Sequence, residues 1–160
     1  MMSGKALAFI FVAIMQIRPY HTRDQETVLR LFRSNTPAFF APSEEPELLV
    51  YLAQHAADYF LLTVAGEVVA SGGFNFLEEG KAARISWDMV RPEAQGRGWG
   101  TALTRYRIDR LRALGSVATI VVRTSQLAWP FYARFGFELK EMVKDYWAPG
   151  FDLYYMELPV

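Results

Sequence analysis

The sequence predicts a mixed α/β domain, and three observations carry that prediction. Short apolar or alternating runs of strand length recur along the chain, segments with helical spacing separate them, and glycine or proline marks most of the junctions. Taken in order they read strand, two helices, three strands, helix, strand, helix, two strands. The 160 residues suffice for one domain with a substantial core. Residues 15–160 are therefore read as a single unit, with no repeat, low-complexity tract or linker inside it.

Residues 1–14 hold one Lys and then the apolar run Ala6 to Ile14. That run is too short to span a bilayer. A basic residue before an apolar stretch is also the start of a signal-peptide pattern, but no small-x-small cleavage site follows, so these residues are expected to be an N-terminal extension upstream of the first strand.

Met15 to Tyr20 reads as a strand, and Thr22 or Asp24 as the cap of a helix with Val28, Leu29, Leu31 and Phe32 on its apolar side, ending near Arg33. Ser34 to Pro42 carries two prolines and the pair Phe39-Phe40, which makes it a loop. A second helix from about Ser43 to His55 presents Leu48, Leu49, Tyr51 and Leu52. Tyr59 to Val64 and Val68 to Phe76 are two strands joined at Ala65-Gly66-Glu67. Ala82 to Val90 alternates, which puts Ala83, Ile85, Trp87 and Met89 on one face and Arg84, Ser86, Asp88 and Val90 on the other.

A third helix follows Gly98, with Leu103, Tyr106, Leu111 and Leu114 as an imperfect stripe and Gly115 as its stop. Its arginines, with Arg97 before it and Arg105, Arg107, Arg110 and Arg112 along it, read as a solvated basic face. Val117 to Val122 is almost wholly apolar, as expected of a strand covered on both sides. Gln126 to Phe135 is a short helix that tolerates Pro130 in its first turn and ends at Gly136. Phe137 to Tyr146 and Phe151 to Leu158 form a last hairpin turning at Ala148-Pro149-Gly150.

Composition removes several function classes. Seventeen basic residues balance seventeen acidic ones, so no global charge points to nucleic acid or to an anionic membrane. The absence of cysteine excludes disulfides, thiolate metal sites and a cysteine nucleophile, and suits a cytoplasmic protein. His21 and His55, the two histidines, lack ligand-like spacing, so no metal is expected.

The segment Gln95-Gly96-Arg97-Gly98-Trp99-Gly100-Thr101 concentrates the functional signal. Three glycines in five residues let a ligand approach the main chain, and a helix starting there offers unpartnered amides and the positive end of its dipole to a pyrophosphate. The P-loop is excluded because no lysine follows Gly100; the dinucleotide fingerprint is excluded because its third glycine would fall at Thr101 or Leu103. A binder of nucleotide phosphates remains a third class. What is left is Gln-x-x-Gly-x-Gly after Val90-Arg91-Pro92. A second motif, Ala128, then Phe131-Tyr132, then Gly136-Phe137, follows about thirty residues later.

Together these two motifs resemble those of the GCN5-related N-acetyltransferases. The resemblance in element order spans Met15 to Leu158, and the motif-level match covers Trp87 to Thr101 and Arg123 to Phe137. It implies a central, mostly antiparallel twisted sheet flanked by about four helices, and acetyl-CoA as co-substrate. Asp88, Met89 and Val90 would run beside the pantetheine like an added strand, and Gly96 to Thr101 would hold the pyrophosphate, with Gln95 leading into that turn. Phe131 belongs to the same motif, and Tyr132 would be the general acid. Ser125 stands where the family carries Asn, which shortens one pantetheine contact. Arg84 stands where one branch carries a basic Glu.

Direct transfer needs a neutral amine, so a base or water chain must take a proton near neutral pH. Asp88 is the candidate base, on the reading that it shares a strand face with Arg84. A phenol near pKa 10 suits protonation of a thiolate near 8.5, which fits Tyr132. By the resemblance the acceptor pocket would lie between the first interhelical loop and the last hairpin, where Phe39, Phe40, Tyr146, Trp147 and Phe151 could form an aromatic wall or simply pack the hairpin. The expected activity is acetyl transfer to a primary amine of a small molecule or peptide. Arg84 and Ser125 keep open a silent coenzyme-binding module used for sensing or interaction. The sequence is compatible with a homodimer.

Overall fold

The computed structural model describes residues 15–160, so the expectations for residues 1–14 lie outside the described residues. Seven strands, β1 (Met15–Pro19), β2 (Tyr59–Val64), β3 (Glu67–Leu77), β4 (Ala82–Val90), β5 (Thr119–Thr124), β6 (Glu138–Ala148) and β7 (Phe151–Pro159), form one sheet in the order β1-β2-β3-β4-β5-β7-β6. Every neighbouring pair is antiparallel except β4 and β5. Those two are parallel because the helix between them carries the chain back across the sheet. The helices are α1 (Gln25–Ser34), α2 (Glu45–His55), α3 (Trp99–Leu114) and α4 (Trp129–Ala133).

Alternation along β2 shows how the sheet divides the core. Phe60 and Leu62 pack with Trp99, Leu103, Ile108 and Leu111 of α3, while Tyr59 and Leu61 pack on the other face with residues of α1 and α2 such as Phe32 and Leu48. Ile120 and Val122 of β5 join the α3 side, and Val121 is buried as well, as the uninterrupted apolar run predicts.

Local chemistry differs from the sequence expectation at four places. Asp24 occupies the cap position of α1 but its carboxylate makes no cap bond. It accepts instead from the Arg18 guanidinium, 2.9 Å at each oxygen, and from the His21 amide at 2.8 Å. The Arg18 bond holds Asp24 below the usual carboxylate range. The helix expected over Gln126 to Phe135 is confined to α4, five residues, because a turn held by Ser125 precedes it: the Ala128 and Trp129 amides donate to the Ser125 carbonyl. Leu114 of the expected α3 stripe is 53% exposed, and the apolar face runs through Ile108 instead.

The fourth difference matters most. The β3–β4 register slips between Ser71 and Gly73, and Trp87 sits at φ 55°, a left-handed conformation that is strained for a bulky residue. One extra residue in β4 exchanges its faces beyond that point. Ala83 and Ile85 belong to the α3 side, whereas Trp87 and Met89 belong to the α1–α2 side. Asp88 therefore leaves the face of Arg84 and Ser86 and turns toward α3 and α4, which overturns the strict alternation read from the sequence.

Candidate active site

The β4–β5 ladder pairs only Ala82–Ile85 with Thr119–Val122. Beyond it β4 continues to Val90 and β5 to Thr124 without pairing to each other, and α3 begins at the mouth of the gap. Arg91 donates to Val69 on the β3 side at 2.8 Å, and strand alternation turns the Val90 amide the other way, into the gap. A cavity of about 710 Å³ occupies this region. It is lined from one end by Gly96, Gly98, Gly100 and Thr101, and at its centre by Asp88 and Tyr132.

The glycine turn has the geometry an anion cradle needs. Gly98 caps α3 at φ 87°, and the first bond of the ladder is Ala102 N–H to Gly98 O at 3.0 Å, so the first-turn amides lie outside it. Nothing lies within 4 Å of where a Gly98 Cβ would stand, so glycine is required there by backbone conformation. Gly100 differs: its Cβ would meet Val90 Cγ2 at 3.3 Å and Phe131 Cζ at 3.6 Å, so it keeps the slot between β4 and α4 open. Trp99 is a core residue, Arg97 is exposed, and the Met89 side chain is 2% exposed inside the α1–α2 core, which leaves only its main chain near the gap. We expect Gly98→Ala to cost about 1–2 kcal/mol of backbone strain. Coenzyme titration by calorimetry should show roughly tenfold weaker binding for that variant as its amides tilt away.

Three residues from three elements meet at the centre. The Tyr132 hydroxyl donates to Asp88 Oδ2 at 2.6 Å, and the Arg107 guanidinium pairs with Asp88 Oδ1. Arg107, expected on a solvated helix face, is 0% exposed. It further donates to the carbonyls of Gly73 at 3.0 Å and Leu103 at 3.2 Å, and to Thr104 Oγ1 at 3.2 Å. Burial pulls its pKa down, but the Asp88 charge and hydrogen bond outweigh that and leave it raised. Burial first, then the Asp88 charge and hydrogen bond, push the Tyr132 phenol well above its ordinary value, with Arg107 pulling the other way.

Sequence reasoning missed Arg107, and it missed Gly72, where a Cβ would stand 2.6 Å from Asp88 Oδ1 and 2.8 Å from an Arg107 nitrogen. The signal available was a Gly-Gly pair in mid-strand, which marks close approach by another group. Asn35 was also missed. It is 2% exposed, donates to Leu31 O and Val90 O at 2.8 and 3.1 Å, and accepts from Gln95 at 3.3 Å, tying the glycine turn to β4 and α1.

The other expected site residues are distributed unevenly. Ser125 lines the cavity, but its hydroxyl accepts from the Leu127 amide at 3.2 Å and stabilises the turn before α4. Phe39, Phe40, Trp147 and Phe151 line the cavity, Phe40 being stacked on Trp87 with ring centroids 5.8 Å apart. Tyr146 stands outside the lining, 48% exposed, with its hydroxyl against Arg123. Among the described residues no cluster of His, Asp and Glu could hold a metal ion, and no helix is long and apolar enough to cross a membrane.

Solved structures share this fold across nearly the whole chain. Ard1 from Thermoplasma volcanium is 21% identical with a TM-score of 0.78, covering 92% of this chain and 98% of its own. The ribosomal-protein-S18-alanine N-acetyltransferase from Escherichia coli is 23% identical with a TM-score of 0.76, over 91% and 94%. YncA from Salmonella typhimurium, solved with its cofactor acetyl-CoA, is 18% identical with a TM-score of 0.72, over 91% and 93%. Among curated proteins none matches the sequence. The model of the Acetyltransferase (GNAT) family matches residues 26–137, and with that match over more than half its length the chain belongs to the GNAT acetyltransferase family.

Proposed function

We propose that residues 15–160 form a single-domain N-acetyltransferase that moves the acetyl group of acetyl-CoA directly to a primary amine of a small molecule or peptide. The observation that carries this reading is convergence: one cavity holds the glycine turn, the unpaired edge of β4 and the Tyr132–Asp88 pair. The residues fit a coenzyme A thioester. The first-turn amides from Gly98 to Thr101 suit its diphosphate, and the Val90 amide on the strand-unpaired edge of β4, whose carbonyl is taken by Asn35 and Gln95, suits a carbonyl of the pantetheine. Phe131 and Val90 flank the slot that Gly100 keeps open.

Bound there, acetyl-CoA supplies an activated acyl carbon. The Val90 amide lies where it can donate to the carbonyl oxygen as negative charge develops. The amine nitrogen forms the new C–N bond, the C–S bond breaks, and Tyr132 delivers its phenolic proton to the departing sulfur. Asp88 holds the hydroxyl in place and Arg107 offsets the negative charge left on the pair. With Asp88 engaged by Arg107 and Tyr132, the proton lost by the amine passes to water on the open side of the cavity.

The second reading, a catalytically silent coenzyme-binding module, draws on Ser125, whose hydroxyl serves a turn, and on Arg84 in place of a carboxylate. Incubation with acetyl-CoA and a panel of amines separates the two. Amine-dependent release of free thiol is expected; coenzyme binding without it would favour the module. Stabilisation by ATP or NAD in preference to coenzyme A would overturn both. We place the protein in the cytoplasm.

A further inference from the structure

Arg84 and Arg123 come from adjacent parallel strands. Arg84 pairs with Val121, and Arg123 lies two residues further along β5, so both side chains project from the same face of the sheet. Their neighbours Ile85 and Val122 belong to the α3 core, so this face is the opposite one, beneath α2. Both arginines line the cavity.

Neither takes part in any ion pair found among the described residues. Arg84 is half-buried and its Nε has no hydrogen-bond partner. Arg123, Tyr155, Tyr146 and Tyr51 surround Arg84; Glu157, opposite Val121 on this face, accepts from the Tyr155 hydroxyl at 3.2 Å and pairs with neither arginine. Burial first, and then the Arg123 charge, depress the Arg84 pKa. Arg123 leans over the rings of Tyr146 and Trp147, 5.0 and 5.2 Å from their centroids. Of the three acids in the lining, Asp88 is engaged by Arg107 across the sheet and Glu44 by the Ala41 amide at 2.7 Å, while Glu47 is exposed on α2 and pairs with neither arginine.

Two cations facing one half-buried cavity with no carboxylate paired to either are unfavourable until an anion arrives. A guanidinium fork matches a carboxylate in particular, through two parallel hydrogen bonds. The coenzyme diphosphate cannot be that anion, because the glycine turn lies at the start of α3, on the other side of the sheet. We infer that Arg84 and Arg123 form a carboxylate subsite, and that the acceptor is a small amine that itself bears a carboxylate, as an amino acid does. This rests on the reading of the chain as an amine acetyltransferase.

The test uses the whole protein with acetyl-CoA and matched acceptors: α-amino acids, their amides, the corresponding decarboxylated amines, and aminoalkyl phosphonates. One charge-assisted contact predicts kcat/KM for the acid about tenfold or more above that for its amide, carried mainly by KM. In Arg84→Gln and in Arg123→Gln that ratio should fall toward one. A native ratio near or below one, a ratio the substitutions leave intact, or phosphonates preferred over carboxylates would each overturn the carboxylate subsite. If no amine of any kind is acetylated, the functional reading fails instead. Calorimetry of N-acetyl amino acids in the presence of coenzyme A then judges the subsite alone: binding weakened about tenfold by either substitution supports it, and no binding overturns it.

Discussion

Replacing Tyr132 by Phe should lower kcat for acetyl transfer about a hundredfold, roughly 2.7 kcal/mol of barrier, while leaving coenzyme affinity close to native. The ring keeps its volume and its place in the core between Phe131 and Phe137, so the substitution removes one O–H group and little packing. Asp88 Oδ2 loses a donor, but its side chain is 18% exposed and water can replace the bond. The raised pKa of Tyr132 cuts two ways. It keeps the proton on the phenol throughout the physiological range, so that ionisation of Tyr132 cannot reduce the rate below about pH 10. It also makes the phenol a weaker acid toward a thiolate of pKa about 8.5, and the buried Arg107 charge beside the pair is what eases that transfer. Both native enzyme and variant should therefore gain rate with rising pH as the amine deprotonates, on parallel curves separated by the lost acid. An unchanged kcat, or a loss confined to KM for acetyl-CoA, would remove Tyr132 from the proton-transfer step.

Much of this site is visible in the sequence because it depends on local rules. Gly98 announces a left-handed cap, the Gln-x-x-Gly-x-Gly spacing announces the turn, and β-branched residues from Val117 to Val122 announce a covered strand. The hairpin over Ala65-Gly66 is read correctly for the same reason, and both turn residues take positive φ. What escapes is decided by contacts distant along the chain. The bulge at Trp87 leaves no local signature, yet it sends Asp88 to the opposite face from the one alternation assigns. Arg107 reads as one more arginine on a basic helix, because its partner is nineteen residues away on a strand and its space is made by Gly72. Burial of a charge is a property of the pair and cannot be read from either residue alone.

That pair carries the other large effect. Arg107→Met should destabilise the fold by about 3–5 kcal/mol, because it strands Asp88 and the Gly73 carbonyl without the donor that satisfies them. For a domain of this size that lowers the melting temperature by roughly 10 °C, measurable by calorimetry or thermal shift. Asp88→Leu should also destabilise, since it leaves a guanidinium that is wholly enclosed without its counter-charge. The double variant Asp88→Leu with Arg107→Met decides what the ion pair contributes. If each single loss is mainly the penalty of an orphaned charge, removing both charges should restore part of the stability, and the double-mutant cycle should show a coupling of about 1–3 kcal/mol. Acetyl transfer should not return with the stability, because the Tyr132 hydroxyl would then have no carboxylate to orient it and no cation beside it. Strict additivity of the two single effects would mean that Arg107 and Asp88 act on the fold independently, and would sink the view that they form one buried unit holding the phenol in place.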